Sequence, residues 1–235
     1  MFGEQRVSCI MPTHNRREFV PLALDYFLRQ DYPNCELVVV DDGSDAVEDL
    51  MPADPRIRYQ RLEGRHAQGV LRNLACEAAT GEIIAHWDDD DWQASWRVSY
   101  QVACLLKAQA DVCGLQTVYF YEPAANRAWQ YRYPADERPW VYSATFCFTK
   151  AFWERNPFPV TRVATGTGFL WNNRPKTILP LEDSRFYVGT IHARNVSPKR
   201  PQPPRWQPCP LANIEALMGE DWLLYHSQEH GLKGL

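Results

Sequence analysis

Residues 36–44 read ELVVVDDGS and residues 82–92 read EIIAHWDDDDW. Each is an apolar run that empties directly into aspartates. A strand that is apolar on both sides of its pleat belongs in a sheet covered on both faces, as parallel sheets between helices are. Working outward, Val7–Met11 (VSCIM) is a shorter run of the same kind, stopped by Pro12, and Arg56–Leu62 alternates as RIRYQRL. Between the strands the apolar spacing becomes helical. Phe19, Leu22, Ala23, Tyr26 and Phe27 mark a helix over Arg16–Arg29, with Pro21 tolerable only in its first turn. His66–Ala79 and Ser95–Gln109 give further helices, and Gly81 suits the C-terminal cap of the first of these. Strands and helices alternating over short links predict an α/β fold with a doubly wound, mainly parallel, Rossmann-like sheet. In such sheets ligands bind outside the carboxyl ends of the strands.

The second half has a different texture. Val112–Tyr121, Ala128–Tyr133 and Ala144–Thr149 are aromatic and β-branched segments broken by Pro and Asn, which predicts a smaller antiparallel region. Ala151–Arg155 reads as a short helix and Phe186–Ile191 as a last strand. Residues 198–210, PKRPQPPRWQPCP, hold six of the 18 prolines and predict an extended connector. Leu211–His226 resumes helical spacing, as a helix that docks on the body or associates copies into a homo-oligomer. The expected organisation is a single domain over 1–196, with halves of about 1–110 and about 111–196, followed by a connector and helix over 197–235.

Composition excludes several classes. The 235 residues are 45% hydrophobic and 23% charged, as in an ordinary globular protein. With 25 Lys+Arg against 29 Asp+Glu the net charge is −4, and the absence of a basic block argues against a nucleic-acid partner. No apolar run approaches the roughly 20 residues of a membrane span, and no apolar leader is visible at the N-terminus. The seven cysteines form no CxxC pair, and with the odd count they predict reduced thiols and a cytoplasmic setting.

The chemistry concentrates in carboxylates. Asp41 and Asp42 end one strand, and Asp88, Asp89, Asp90 and Asp91 end another. Two like charges about 6 Å apart at an effective dielectric near 20 repel by roughly 3 kcal/mol. A divalent cation removes that conflict, and oxygen-only ligands select hard ions such as Mn²⁺ or Mg²⁺. If the strand stays extended, Asp88 and Asp90 share one face while Asp89 and Asp91 point away. One pair then serves a ribose and a metal. Pro12–Thr13–His14–Asn15–Arg16 leaves the first strand and enters a helix whose N-terminal NH groups favour anions. Arg72 and Asn73, on the helix before DDDD, are candidate nucleotide-sugar contacts at the phosphate. Neither GxGxxG nor GxxxxGK[ST] occurs, which removes the main support for dinucleotide and P-loop readings. The first strand is also followed by none of the Gly-rich basic loop that a nucleotidyltransferase would want.

Taken together, PTHNR, VVVDDGS, RNLACEAATGE and IIAHWDDDDW resemble, in order, the motifs of family 2 glycosyltransferases of the GT-A fold, over roughly residues 6–110. The resemblance implies a nucleotide-sugar donor (usually a UDP- or dTDP-sugar), a divalent metal with a DXD signature, and inverting transfer to a glycan, lipid-linked or protein acceptor. It places Pro12, Thr13, Asn15 and Arg16 near the base and ribose, and Asp41 on the base with Asp42 beside it. Asp88 becomes the carboxylate nearer the ribose with Asp89 beside it, Asp90 the metal ligand and Asp91 a reserve ligand. His192 resembles the His that many such enzymes set near the metal or diphosphate.

The same resemblance calls for a Glu-Asp pair, the Asp acting as general base, before a Phe on the acceptor side. Here that place reads Thr165–Gly166, and neither takes up a proton at neutral pH. Asp183 of the following Glu182–Asp183 pair is the substitute candidate. The departure keeps a second function in view, a weakly active or inactive GT-A domain that still binds nucleotide sugar.

Overall fold

The structure, a computed structural model, describes residues 5–172 and 174–226. In chain order the elements are β1 (Val7–Thr13), α1 (Val20–Leu28), β2 (Cys35–Asp41), β3 (Ile57–Arg61), α2 (Gln68–Ala78), β4 (Ile83–His86), β5 (Trp92–Gln93), α3 (Arg97–Lys107), β6 (Val112–Leu115), β7 (Thr117–Glu122) and β8 (Arg127–Arg132). They continue with β9 (Cys147–Thr149), α4 (Lys150–Arg155), α5 (Thr165–Trp171), β10 (Ile178–Leu181), β11 (Tyr187–Thr190), β12 (Trp206–Cys209), α6 (Leu211–Met218) and α7 (Trp222–His226).

Among the described residues the strands form two sheets. The larger has the order β10-β6-β9-β4-β1-β2-β3, and every neighbouring pair is parallel except those that β9 makes with β4 and β6. The smaller has the order β12-β8-β7-β11-β5 and is antiparallel apart from the β7–β11 pair. The mainly parallel α/β sheet with an antiparallel companion is therefore present.

Why the parallel strands had to be continuously apolar is visible in the core. Every residue of β2 is buried. Its side chains alternate between faces, Leu37 and Val39 packing with α1 and α3, Val38 and Val40 with α2, α4 and α5. Helix α1 begins at Val20 rather than Arg16 and carries its proline in the first turn, where a missing N–H is harmless. Among the described residues no helix is long and apolar enough to cross a membrane.

Three expectations need correcting. Val112–Tyr121 is two strands, broken at Gln116, that belong to different sheets. The segment Ala144–Thr149 opens with a 3-10 turn over Ser143–Thr145, and only Cys147–Thr149 is strand, inserted into the large sheet between β4 and β6. The proline-rich segment is no free connector. Within it β12 pairs along β8 as an edge strand, where Pro208 needs no second partner. Ile214, Met218, Trp222 and Tyr225 of the helices that follow are buried in the main core.

Candidate functional site

Parallel register brings the carboxyl ends of three strands to one rim. Thr13 lies opposite Asp41 between β1 and β2, and Ile10 opposite His86 between β1 and β4. The aspartates following β2 and β4 thus emerge on the same edge with β1 between them, about 10 Å apart at the spacing of neighbouring strands. Above the rim opens a cleft of about 720 Å³. Its walls are residues 12–16, Asp42, the 65–72 stretch, Asp88–Asp91, Tyr142–Ser143, residues 162–167 and the 193–199 segment.

The tetra-aspartate is held from behind. Arg97, wholly buried, donates to the carbonyls of His86 (2.7 Å) and Ala144 (3.0 Å) and stacks on Trp87. His86 Nδ1 lies 2.6 Å from the Ser143 carbonyl, and Trp87 Nε1 donates to the Ala23 carbonyl at 3.0 Å. These contacts fix where β4 stops. Past His86 the chain turns instead of staying extended, so the alternation expected for the four aspartates fails. Asp88, Asp90 and Asp91 converge, each offering an oxygen within 4.8 Å of the others. Asp89 alone turns away, accepting from Thr13 Oγ1 at 2.6 Å and Arg16 Nη1 at 2.9 Å. Asp91, expected to point away, belongs to the cluster.

Electrostatics separates these neighbours. Burial raises Asp88, an effect that Arg72 opposes. Burial pushes Asp89 up to about 6 despite Arg16. Asp91 is raised well above the usual range by burial and then by Asp90 and Asp88, although Tyr187 Oη and the Thr190 N–H (2.7 Å) both donate to it. For Asp90 burial also acts upward, but Arg16 and then His192 outweigh it and hold the carboxyl below the usual range. His192 Nε2 sits 3.0 Å from Asp90 Oδ2, and Asn195 Nδ2 is 3.4 Å from the same oxygen. The His192 side chain is almost wholly buried and stacked on Phe19, so it stands behind Asp90 rather than in the cleft. Three converging carboxylate oxygens suit Mn²⁺ or Mg²⁺, which prefer hard oxygen donors.

At the β2 end the two aspartates part company. Asp41 is fully buried and accepts from Gly43 N (2.8 Å), Val47 N (3.1 Å) and Tyr59 Oη (2.8 Å). It shapes the turn and does not line the cleft, so the expectation that Asp41 meets a ligand gives way to Asp42. Asp42 lines the cleft between His14, whose Nδ1 is 2.8 Å away, and the His66 N–H at 2.5 Å. Asn15 adopts positive φ, and its Oδ1 accepts from Asp45 N (2.9 Å) and Ser44 Oγ (3.2 Å). A Cβ on Gly43 would strike the Asn15 backbone nitrogen, which is why the turn after Asp42 needs glycine.

On the far wall, Arg72 is buried, borders the cleft and donates to Thr165 Oγ1. Thr165 lies 3.3 Å from Gln68 Oε1, and a Cβ on Gly166 would collide with Ser143. Thr165–Gly166 is therefore a packed helix start at the cleft wall. The structure does not bring Asp183 to the cleft. Its carboxylate is bound to Arg185 (2.6 Å) and its N–H to Tyr100 Oη (3.2 Å). Sequence reading missed Tyr142, Ser143 and Asn195, which reach the site through the second half of the chain.

The chain resembles known proteins in sequence and in fold. The sequence profile described as Glycosyl transferase family 2 fits residues 8–168, and the chain belongs to that family. It is 38% identical over 102 residues to the putative colanic acid biosynthesis glycosyl transferase WcaA of Escherichia coli (strain K12), a match covering 41% of this chain and 37% of WcaA. The chain thus spans little more than a third of that curated relative. Among solved structures it resembles the mannosyltransferase PcManGT of Pyrobaculum calidifontis in complex with GDP-Man and Mn²⁺, with a TM-score of 0.62 and 20% identity over 82% of this chain and 59% of that one. It also resembles S. aureus TarS 1–349 in complex with UDP-GlcNAc, with a TM-score of 0.61 and 20% identity over 81% and 60% of the two chains. The fold is of the GT-A type.

Proposed function

We propose that this chain is a metal-dependent, inverting glycosyltransferase that moves a sugar from a UDP- or dTDP-sugar to a glycan, lipid-linked or protein acceptor. The observation that carries this is the convergence of Asp88, Asp90 and Asp91 at the carboxyl edge of a parallel sheet, beside a cleft large enough for a nucleotide sugar. Asp90, Asp88 and Asp91 would hold Mn²⁺ or Mg²⁺. When bound, the ion supplies the positive charge that draws pyrophosphate to an acidic rim and stabilises the departing nucleoside diphosphate. Arg16 and His192 keep Asp90 ionised and aimed. Asp42, His14 and His66, near the β2 edge, flank the base and ribose, with Pro12, Thr13 and Asn15 shaping that end. On this reading the donor runs from its base at the β2 edge to its sugar at the β4 edge. The seven cysteines are free thiols, which suits a reducing cytoplasm.

Thr165–Gly166 favours a second reading, a donor-binding domain of low transfer activity. A melting screen with UDP, dTDP and GDP, each with and without Mn²⁺, tests the donor site. One nucleotide should stabilise the protein only with metal, and Asp90→Ala should erase the effect while the protein keeps its fold. Unchanged melting across the panel with metal present would remove the donor reading. Metal-dependent binding without release of sugar from any donor would select the second reading.

A further inference from the structure

Arg16, Arg72, Arg194 and Lys199 are among the side-chain cations that line the cleft, and Arg16 and Arg194 are already tied to protein groups. Arg16 divides its guanidinium among Asp89, Asp90 and the Arg194 carbonyl. Arg194 is taken by Glu18 and the Asn15 carbonyl. Arg72 is fixed in the cleft wall, where it donates to Thr165 while its Nε has no partner among the described residues. Lys199 differs. It lines the cleft, its Nζ lies over the Tyr142 ring at 5.5 Å, and Asp88 and Asp91 are near enough to act on it electrostatically. Yet among the described residues no carboxylate stands within ion-pairing distance of that Nζ.

A lysine ammonium is a point charge on a flexible four-carbon stem, protonated at neutral pH, and it serves phosphate without needing a fixed fork geometry. Tyr142, which is uncharged, meets the ammonium with its ring and hydroxyl and holds it in the cleft without cancelling its charge. In sugar transfer the C1–oxygen bond to the β-phosphate breaks and its electron pair leaves with the nucleoside diphosphate. The charge that must be stabilised therefore grows on that phosphate, where cations placed beforehand are most effective. Arg16 and Arg194 hold protein groups and Arg72 is fixed in the wall, whereas Lys199, with no carboxylate partner among the described residues, brings a charge beside Asp88 and Asp91.

We propose that Lys199 binds the diphosphate of the donor, opposite the metal carboxylates, and stabilises the leaving group as transfer proceeds. The inference rests on the donor site proposed above. Its test compares UDP and UMP binding, both with Mn²⁺, in the wild type, Lys199→Gln and Lys199→Arg. The loss of one charge-assisted hydrogen bond should weaken UDP binding by about tenfold to a hundredfold in Lys199→Gln. UMP binding should stay within about twofold, and Lys199→Arg should retain most of the UDP affinity. If UDP and UMP weaken equally, or Gln and Arg variants lose alike, Lys199 acts through packing and the proposal falls. A wild-type protein that binds none of UDP, dTDP and GDP removes the donor site, and this inference with it, whereas nucleoside diphosphate binding that survives Lys199→Gln overturns the inference alone.

Discussion

Asp41 and Asp42 carry the same side chain at adjacent positions, and only their surroundings give them different work. Asp41 is the last residue of a buried strand, so its carboxylate turns inward and is satisfied by two N–H groups and the Tyr59 hydroxyl. Asp42, one residue on, faces the cleft. Sequence motif order located the pair but not the partition, because which of two residues after a strand end faces solvent depends on where the turn begins. The tetra-aspartate shows the same limit. That it clusters at a strand end was legible, while the inclusion of Asp91 and the withdrawal of Asp89 followed from a turn that no period predicts. The partition predicts opposite behaviour. Asp42→Ala should weaken UDP binding about tenfold, the effect of one lost hydrogen bond to a charged group, and leave Mn²⁺ affinity at Asp88, Asp90 and Asp91 within about twofold. Asp41→Ala should lower the melting temperature instead. Calorimetric titration of Mn²⁺ and of UDP distinguishes these, and loss of Mn²⁺ binding in Asp42→Ala would show that the two ends of the cleft are one site.

The elements that were legible are those with long unbroken patterns. Strands β1, β2 and β4 and helices α2 and α3 follow from apolar period alone. Strand β9 and helix α5 do not. The β9 strand is three residues long and is placed by long-range pairing with Ile83–Ala85 and Val112–Cys113. The α5 helix begins beyond Ala164, a non-glycine residue at positive φ, with Gly166 required by Ser143 across the wall. What secures the legible elements to one another can be tested at Glu36, in β2. Its carboxylate accepts from Ser8 Oγ in β1 at 2.6 Å and from Thr80 N and Oγ1 at 2.7 Å, between α2 and β4. Burial alone would raise this group, but the Ser8 and Thr80 bonds outweigh it and hold Glu36 below its ordinary value. A depressed folded-state pKa gives stability that is present above the unfolded value, near 4.3, and lost as pH falls from there through the lower folded-state value. Glu36→Gln should lower the midpoint by roughly 4–8 °C at pH 7, about 2 kcal/mol. It should also lose less further stability than the wild type between about pH 5 and pH 3. Parallel melting curves of the two proteins across that range would refute the assignment.

At the scale of the whole molecule, the proline-rich stretch had suggested a boundary near residue 197, and packing erases it. Strand β12 extends the small sheet along β8, Arg205 pairs with Glu137 at 2.6 Å, and Arg29 of the first half meets Asp221 at 3.0 Å. Trp92, directly after the tetra-aspartate, donates from Nε1 to the same Asp221 at 2.8 Å, so the C-terminal helices brace the strand that leaves the site. Prolines mislead here because an edge strand tolerates them, and composition alone cannot tell an edge strand from a linker. The bracing ring is Trp222, buried and 4.6 Å from Tyr121, while Tyr225 Oη lies 3.1 Å from Tyr26 Oη. If the C-terminal helices belong to the core, removing that ring destabilises the entire fold. Trp222→Ala should cost about 3–5 kcal/mol, a fall of roughly 6–20 °C in the melting temperature for a chain of this size. Calorimetry should record it as a single transition in both proteins. An appended connector and helix would behave otherwise. The variant would then lose a small early transition, and the main one would stay where it was.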